Sequence, residues 1–107
     1  MSEDPVESLF RETRKSIRGL NGRLDNEAGK VGENVTMVDL MAAGYKVTYV
    51  GNDHKKHYDI HAVRGREELH IENKAGLHAD LTPAERARAA RDPKYRVKRT
   101  ARLMPRL

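Results

Sequence analysis

The sequence predicts one α/β domain, in which a small mixed sheet of about four strands is flanked by helices in the order α-α-β-β-β-α-β. Two observations predict this class. First, apolar residues recur at helical spacing up to about residue 43 and then alternate with polar residues. Second, there is a capped helical segment near the C-terminus, and a further alternating segment follows it. The 107 residues leave room for one core. Because only 37% of them are apolar, with one Phe and no Trp, we expect either a thin core or a core completed by a partner subunit, and of the two we favour a homodimer.

The N-terminal part of the chain predicts two helices. Apolar side chains recur at helical spacing over residues 6–20, and Gly19 and Gly22 predict a stop after them. A second apolar stripe over residues 26–43 predicts a second helix, which Gly44 ends. The first helix precedes the domain, and it could either pack on the domain or reach across to a second subunit.

Three short strands are predicted next. Segments 45–50, 57–63 and 68–74 are rich in β-branched and aromatic residues or alternate between apolar and polar ones. A tight turn centred on Gly65 joins the second and third strands into a hairpin. The last strand of the sheet is predicted over residues 94–99, which also alternate.

The helix before that last strand has the clearest local signal in the chain. Thr82 is a predicted N-cap, Pro83 occupies the first helical position, and Glu85 completes a capping box. The helix is predicted to run to Arg91, since Asp92 precedes a proline.

The hairpin is predicted to have one apolar and one polar face, because residues two apart in a strand share a face. The apolar face carries Tyr58, Ile60, Ala62, Leu69 and Ile71. The polar face carries Asp59, Glu72 and Lys74, flanked by His61 and His70.

The polar face has two interpretations. Asp59 and Glu72 on neighbouring strands can share a hard cation such as Mg²⁺, beside which Lys74 can hold an attacking water or stabilise a charged transition state. The same alternation fits a ladder of ion pairs on an exposed sheet face. The residues alone leave both interpretations open.

A family resemblance favours the first interpretation. Asp59 followed after a hairpin turn by Glu72-x-Lys74 in "IENK" resembles the PD-(D/E)xK nuclease superfamily, which has the restriction-endonuclease-like fold. "VGENVTMVDLMAAGYKV" is similar to the helix that often completes the site there, with Glu33 in the matching position. "LTPAERARAARDPKYRV" resembles the helix and strand that follow the lysine. The resemblance spans about residues 27–98.

This resemblance implies a restriction-endonuclease-like core and a specific chemistry. Asp59, Glu72 and Glu33 would bind Mg²⁺ or Mn²⁺, and Lys74 would assist the attack of water on a phosphodiester bond. DNA is favoured over RNA, and a domain of this size has little room for elements that read sequence. The chain departs from the family pattern at Asn73, where an apolar residue is usual, and before Asp59, where it lacks the usual Pro.

The histidines offer a further alternative. His54, His57 and His61 loosely resemble a zinc ligand set, but the change from loop to strand between them argues against convergence on one ion. The absence of Cys excludes disulfides and thiolate zinc sites. His61 and His70 flank the acids and are candidates to contact a scissile phosphate or assist proton transfer.

Positive charge is concentrated at the C-terminus. The net charge is +5, and residues 86–107 contain nine Lys or Arg against the single acid Asp92. Such a stretch suits a phosphate backbone, although a solvated surface would also explain it. The predicted nucleic-acid-binding residues are Arg86, Arg88, Arg91, Lys94, Arg96, Lys98 and Arg99. We therefore divide the chain into an N-terminal helical arm (1–24) and a nuclease-like domain with a basic C-terminal tail (25–107).

Three functions follow from these expectations. The first is a divalent-metal-dependent endonuclease of low sequence specificity, and the second is a catalytically inactive nucleic-acid-binding module of the same fold. The third is the toxic nuclease domain of a bacterial toxin, acting on DNA or tRNA and neutralised by an immunity protein. No apolar run approaches the ~18 residues of a membrane span and no signal-peptide pattern is present, so we expect a cytoplasmic protein with no membrane partner.

Overall fold

The computed structural model describes residues 4–102, which begin with one long helix, α1 (Pro5–Ala42). Asp4 caps it, since its Oδ1 accepts a hydrogen bond from the backbone N–H of Val6 at 2.8 Å. Gly44, with a φ of 90°, follows its C-terminal end as predicted. The prediction of two consecutive helices is wrong, because one helix covers both predicted segments.

The glycines inside α1 explain this error. None of them has a positive φ, so Gly19 and Gly22 continue the helix. An internal glycine costs a helix about 1 kcal/mol relative to alanine, but it ends the helix only where the backbone turns left-handed. Gly32 permits close packing instead. A Cβ at this position would lie 2.6 Å from Thr100 Oγ1 and 2.7 Å from Asn73 Nδ2, across the interface with the sheet.

The rest of the described chain is a four-stranded mixed sheet with one more helix, which confirms the α/β class and the four strands. The elements after α1 are β1 (Lys46–Tyr49), β2 (Ile60–Arg64), β3 (Glu67–Ala75), α2 (Pro83–Arg91) and β4 (Tyr95–Thr100). The strand order is β1-β2-β3-β4, with antiparallel pairing up to β3 and a parallel pair of β3 with β4. The element order is therefore α-β-β-β-α-β.

The core lies between α1 and one face of the sheet. Ile60, Ala62 and Ile71 are buried there, and Met37 and Leu40 of α1 pack on them. A buried polar pair completes the interface, because Thr36 Oγ1 donates to Asn73 Oδ1 at 2.6 Å. That hydrogen bond explains why a polar residue is tolerated at position 73, facing the helix.

The start of β2 differs from the prediction. His57 has a positive φ of 56°, and the strand begins only at Ile60. Tyr58 therefore does not share the apolar face with Ile60, as the alternation predicted. Its ring stacks on His70 at 4.5 Å, on the opposite face of the sheet.

Helix α2 covers that opposite face through polar contacts. Its capping box is confirmed, with both the Thr82 and the Glu85 hydrogen bonds present. Glu85 is its buried residue and Arg88 is half-buried, with its guanidinium 5.4 Å from the Tyr58 ring. The alanines of the helix are all exposed: Ala84, Ala87, Ala89 and Ala90.

The N-terminal half of α1 projects from the sheet. Side chains are exposed or half-exposed up to Leu20, and Asn21 is the first buried residue. The predicted domain boundary after residue 24 therefore falls inside one continuous helix. The described chain is 68 Å long as a result. Within residues 4–102, neither helix has the length and apolar character required to cross a bilayer.

Candidate active site

Asp59 is fixed by the backbone at the entrance to β2. Its carbonyl accepts from Val50 N–H at 2.7 Å, and its own N–H donates to the Ile71 carbonyl at 2.8 Å. The carboxylate is anchored as well, since Oδ2 accepts from the backbone N–H of Asn73 at 2.9 Å. Strands on both sides therefore determine where this acid points.

Glu72 of β3 presents a second carboxyl next to the first. Its side chain is buried, and it makes hydrogen-bonding contacts with the carboxyls of Glu85 and Asp59. Burial, the contact with Glu85 and the charge of Asp59 raise the pKa of Glu72 to about 9. Burial also raises the pKa of Asp59, although the Asn73 N–H opposes that rise. The surroundings of Asp59 and Glu72 therefore do not stabilise both carboxyls in the ionised form.

Lys74 and Glu85 form the other half of the site. The ammonium of Lys74 lies 2.7 Å from Glu85 Oε1 and 3.7 Å from Glu72 Oε1. Burial opposes ionisation of Glu85, but hydrogen bonds from Lys74 and the Thr82 N–H outweigh it and lower the pKa of Glu85 to about 2. Of the two adjacent glutamates, Glu85 thus holds the charge and Glu72 holds the proton.

Glu33 approaches the same carboxyls from α1. Burial raises its pKa, as does the charge of Asp59, while a hydrogen bond from the Tyr49 hydroxyl lowers it. The pKa of Tyr49 is itself raised, first by burial and then by Glu33. The structure therefore brings Asp59, Glu72 and Lys74 together, and Glu33 lies on the Asp59 side of this group.

A shallow pocket of about 210 Å³ opens at these acids. Its lining is strongly polar and consists of Gly51, Asp53, His54, His57, Tyr58, Asp59, Glu72, Thr82 and Glu85. A groove beside it is lined by residues that include Lys30, Glu33 and Tyr49. The acids therefore face an open surface that a polymeric substrate can reach.

Sequence reasoning missed several residues of this site. Glu85 was interpreted only as a capping residue, and Tyr49 and Tyr58 only as strand residues. The sequence does contain a signal for Glu85, since a capping-box acid that follows a strand with a lysine can both close the cap and contact that lysine. It contains no signal for the positions of His57 and Tyr58, because the turn at His57 depends on a positive φ that the residue type does not predict.

The two predicted accessory histidines lie on the same face but outside the pocket lining. His70 stacks on Tyr58, which does line the pocket, and His61 lies opposite His70 in the β2–β3 register. Both imidazoles face Glu68 rather than the acids of the pocket.

The predicted basic surface is divided between the two faces of the molecule. Arg88 pairs with Asp92, and Lys94 pairs with Glu68. Arg96 and Lys98 lie on the face of β4 that borders α1. The remaining three are exposed, with Arg86 and Arg91 on α2 and Arg99 donating to the Ala79 carbonyl.

The chain matches no protein-family model, no curated protein sequence and no solved structure. The function of the chain is therefore inferred from the chemistry of these residues. Their donor atoms are carboxylate oxygens from α1, from the start of β2 and from β3, which is the ligand type that Mg²⁺ and Mn²⁺ prefer. Clustered acids with raised pKa values next to a lysine are also typical of catalytic sites.

Proposed function

We propose that this protein is a divalent-metal-dependent nuclease that hydrolyses phosphodiester bonds with low sequence specificity, in DNA in preference to RNA. One observation carries the proposal. The carboxyls of Asp59 and Glu72 meet in an open polar pocket, and the ammonium of Lys74 lies 3.7 Å from Glu72. The arrangement combines a cation-binding pair with a fixed positive charge.

The acids fit a divalent cation. Asp59 and Glu72 would hold Mg²⁺ or Mn²⁺, with Glu33 contacting it directly or through water. The raised pKa values of all three acids support this assignment, because a nearby cation would favour the ionised form of each. A metal in such a site polarises a phosphoryl oxygen and lowers the pKa of a bound water.

Lys74 contributes the fixed positive charge. Its contact with Glu85 holds the ammonium beside two acids that line the pocket, Glu72 and Glu85, where it would hydrogen-bond a water or a phosphate oxygen as negative charge develops. Glu85 is thus a positioning residue. Because Lys74 is mostly buried, substrate need not displace much water from it.

Cations border the pocket and would contact the phosphate backbone. Lys55 and Lys56 lie in the loop that contributes His54 and His57 to the lining, and Lys30 lies in the adjoining groove. These lysines supplement the exposed arginines of α2. Such contacts recognise the backbone and not the bases, which accounts for low specificity.

Cleavage assays test the proposal. Supercoiled plasmid, single-stranded DNA and tRNA are each incubated with the full chain in Mg²⁺, Mn²⁺ or EDTA. Glu72→Gln and Lys74→Met should each reduce the rate by roughly 10²-fold or more, as the loss of a charged transition-state contact does in other enzymes. Glu67→Gln, an exposed change on the same strand, is the matched control and should retain full activity.

The outcomes separate the alternatives. Cutting that persists in EDTA or in Glu72→Gln would contradict the proposal. Binding without cutting of any substrate, weakened by salt but unaffected by EDTA, would identify the inactive nucleic-acid-binding module instead.

A further inference from the structure

A second cluster of metal-binding side chains lies on the α2 side of the sheet, outside the carboxylate pocket. It consists of His61, Glu68 and His70, which we call the histidine cluster. The Nε2 atoms of His61 and His70 face the same oxygen, Glu68 Oε1, at 3.4 Å and 2.9 Å. One ligand atom from each residue lies within 4.8 Å of the others. The three donors therefore surround one point.

The surroundings orient His70 as a metal ligand is usually oriented. Its Nδ1 lies 2.6 Å from Asp92 Oδ2, and Asp92 also accepts from Arg88 Nε and the Lys94 N–H. An ionised carboxylate only accepts hydrogen bonds, so His70 Nδ1 carries a proton and its neutral form presents a lone pair at Nε2. The parallel stack on Tyr58 fixes the ring plane. A histidine held through its other nitrogen by a carboxylate is the common outer shell of zinc sites.

The donor set selects the class of metal. Two imidazole nitrogens and one carboxylate suit Zn²⁺ and neighbouring transition metals, whereas Mg²⁺ prefers oxygen ligands. Three protein ligands leave a fourth tetrahedral position for water.

We propose that His61, Glu68 and His70 form a binding site for a transition-metal ion of the zinc class. The site joins β2 to β3 and, through Asp92, fastens the C-terminal end of α2 to the sheet. It does not depend on the proposed nuclease activity. Both imidazoles face Glu68, and neither histidine lines the carboxylate pocket, so the histidine cluster is separate from the carboxylate site.

The fold gives such a metal a structural consequence. Helix α2 exposes its alanines and docks through Glu85, Arg88 and the Asp92 that follows it. A metal at the histidine cluster would strengthen one of these contacts. Lys94 opposes it, because its ammonium lies 3.4 Å from Glu68 Oε2. Lys94→Gln is therefore expected to bind the metal more tightly than the wild type.

Titration of the EDTA-treated full chain with Zn²⁺, and with Co²⁺ as a spectroscopic probe, tests the site. We expect one ion per chain by calorimetry, visible absorption bands of low-symmetry Co²⁺ and a higher melting temperature in Zn²⁺. His61→Gln should weaken Zn²⁺ binding by at least roughly 10–100-fold, because that is already the usual effect of losing an outer-shell partner of a ligand and His61 is a ligand itself. His61 is about one-third exposed, so its replacement should leave the fold intact.

Two histidine controls make the result specific. His78→Gln changes an exposed loop histidine and should leave Zn²⁺ affinity unchanged. If His54→Gln abolishes binding while His61→Gln does not, the metal belongs to the carboxylate pocket and the proposal is overturned. Equal Zn²⁺ affinity in the wild type and His61→Gln, or no binding at all, would overturn it too.

A separate observation concerns the N-terminal half of α1, residues 5–20, which we call the arm. Its apolar side chains are exposed, including Val6 (58%), Leu9 (66%) and Phe10 (59%). The residues spaced alternately four and three apart along it are Val6, Phe10, Thr13, Ile17 and Leu20. That spacing is the heptad pattern of a two-stranded coiled coil.

The charges along the arm specify how a second helix would pack. Residues 5–12 contain two acids and one Arg, a net charge of −1, whereas residues 13–20 contain three bases and no acid. Two arms side by side in a parallel orientation would place three bases against three bases. An antiparallel pair places the acidic segment of each arm against the basic segment of the other.

We infer that the arm pairs with the arm of a second copy of this chain in an antiparallel coiled coil. Sixteen residues of helix extend about 24 Å, and a helix of this length with one apolar stripe is only marginally stable unless another surface covers the stripe. A second copy supplies an identical stripe with complementary charge. The pairing would leave both carboxylate pockets accessible, since each lies on the sheet.

Light scattering after size exclusion measures the oligomeric state. We expect a dimer that dissociates in Phe10→Glu/Ile17→Glu but persists in Leu77→Glu, a control that changes an exposed leucine outside the arm. Spin labels on Ser8→Cys and Ser16→Cys, two uncharged positions of the arm, give the orientation, and the protein has no other Cys. In a mixture of the two labelled proteins, an antiparallel pair places position 8 of one arm nearly level with position 16 of the other, and separates two labels at position 8 by roughly 13 Å along the axis. Labels at position 8 that lie level with each other, or a monomer at every concentration, would refute the inference.

Discussion

Replacing Glu72 with Gln should make the metal-free protein more stable while it abolishes cleavage. The Glu72 carboxyl is buried beside two other acids, and these surroundings raise its pKa from the ordinary 4.5 to about 9. The folded state therefore binds this proton more tightly than the unfolded chain does. The corresponding stability is present below pH 4.5 and is lost as the pH rises towards 9. Gln keeps the shape, carries no ionisable proton and can donate its amide hydrogens to Asp59 and Glu85.

The pKa shift sets the size of the effect. Each pKa unit corresponds to about 1.4 kcal/mol, so the shift places a ceiling of roughly 5 kcal/mol on the gain at about pH 8. Lys74 compensates part of the charge, and the pocket opens to water, so we expect about 1–2 kcal/mol of the ceiling to be realised. For a domain of this size, that gain raises the melting temperature by roughly 5–10 °C. Near pH 5 the carboxyl is protonated in most folded and many unfolded molecules, and the gain should be small.

Thermal unfolding followed by circular dichroism in EDTA measures this difference at about pH 5 and about pH 8. Glu67→Gln is the control, because it makes the same chemical change on the same strand. There, hydrogen bonds from Tyr45 and Arg64 lower the pKa, so the variant should be no more stable than the wild type. If Glu72→Gln melts below the wild type at the higher pH, or gains equally at both pH values, the carboxyl is not the strained group that the geometry indicates.

Three further predictions address packing and metal binding. Gly32→Ala should lower the free energy of unfolding, measured in urea, by about 1–3 kcal/mol, because the new Cβ would press on buried side chains. Gly29→Ala is the control. Position 29 has open space around it, so the free energy of unfolding should rise there by up to about 1 kcal/mol. Thr36→Val should cost about 1–3 kcal/mol in the same assay, because it leaves the buried Asn73 Oδ1 without its donor. Mn²⁺ affinity, measured by calorimetry in buffers of different ionisation enthalpy, should rise from about pH 6 to about pH 8 with release of protons, since the metal must displace the proton of Glu72.

Elements defined by local chemistry were predictable from the sequence. The bounds of α2 follow from a cap, a proline and a terminating Asp-Pro, all within twelve residues, and the structure reproduces them. The alternation in β3 likewise predicted which side chains share the face of Glu72 and Lys74. In both cases the determining interactions lie within one element or its immediate neighbour.

Other features depend on contacts that no local pattern contains. Gly19 and Gly22 are of the residue type that commonly ends helices, but a helix ends at a glycine only where the backbone turns left-handed, and neither of them has a positive φ. Tyr58 changed faces because the chain turns at His57. The second role of Glu85 arises from where α2 docks on the sheet, which is a tertiary property.

Glu85 shows how folding and the candidate site are linked. Its Oε1 accepts from the Thr82 N–H at 2.7 Å, which closes the capping box, and the same oxygen contacts the Lys74 ammonium at 2.7 Å. At the other end of α2, Asp92 holds His70. A carboxylate therefore holds each end of the helix to the sheet. Glu85 contacts Lys74, which is proposed to act in cleavage, and Asp92 contacts His70, which is proposed to bind a metal. Since the exposed alanines of α2 bury little apolar surface, these polar contacts determine its position, and a change at either proposed site should alter how firmly the helix is held.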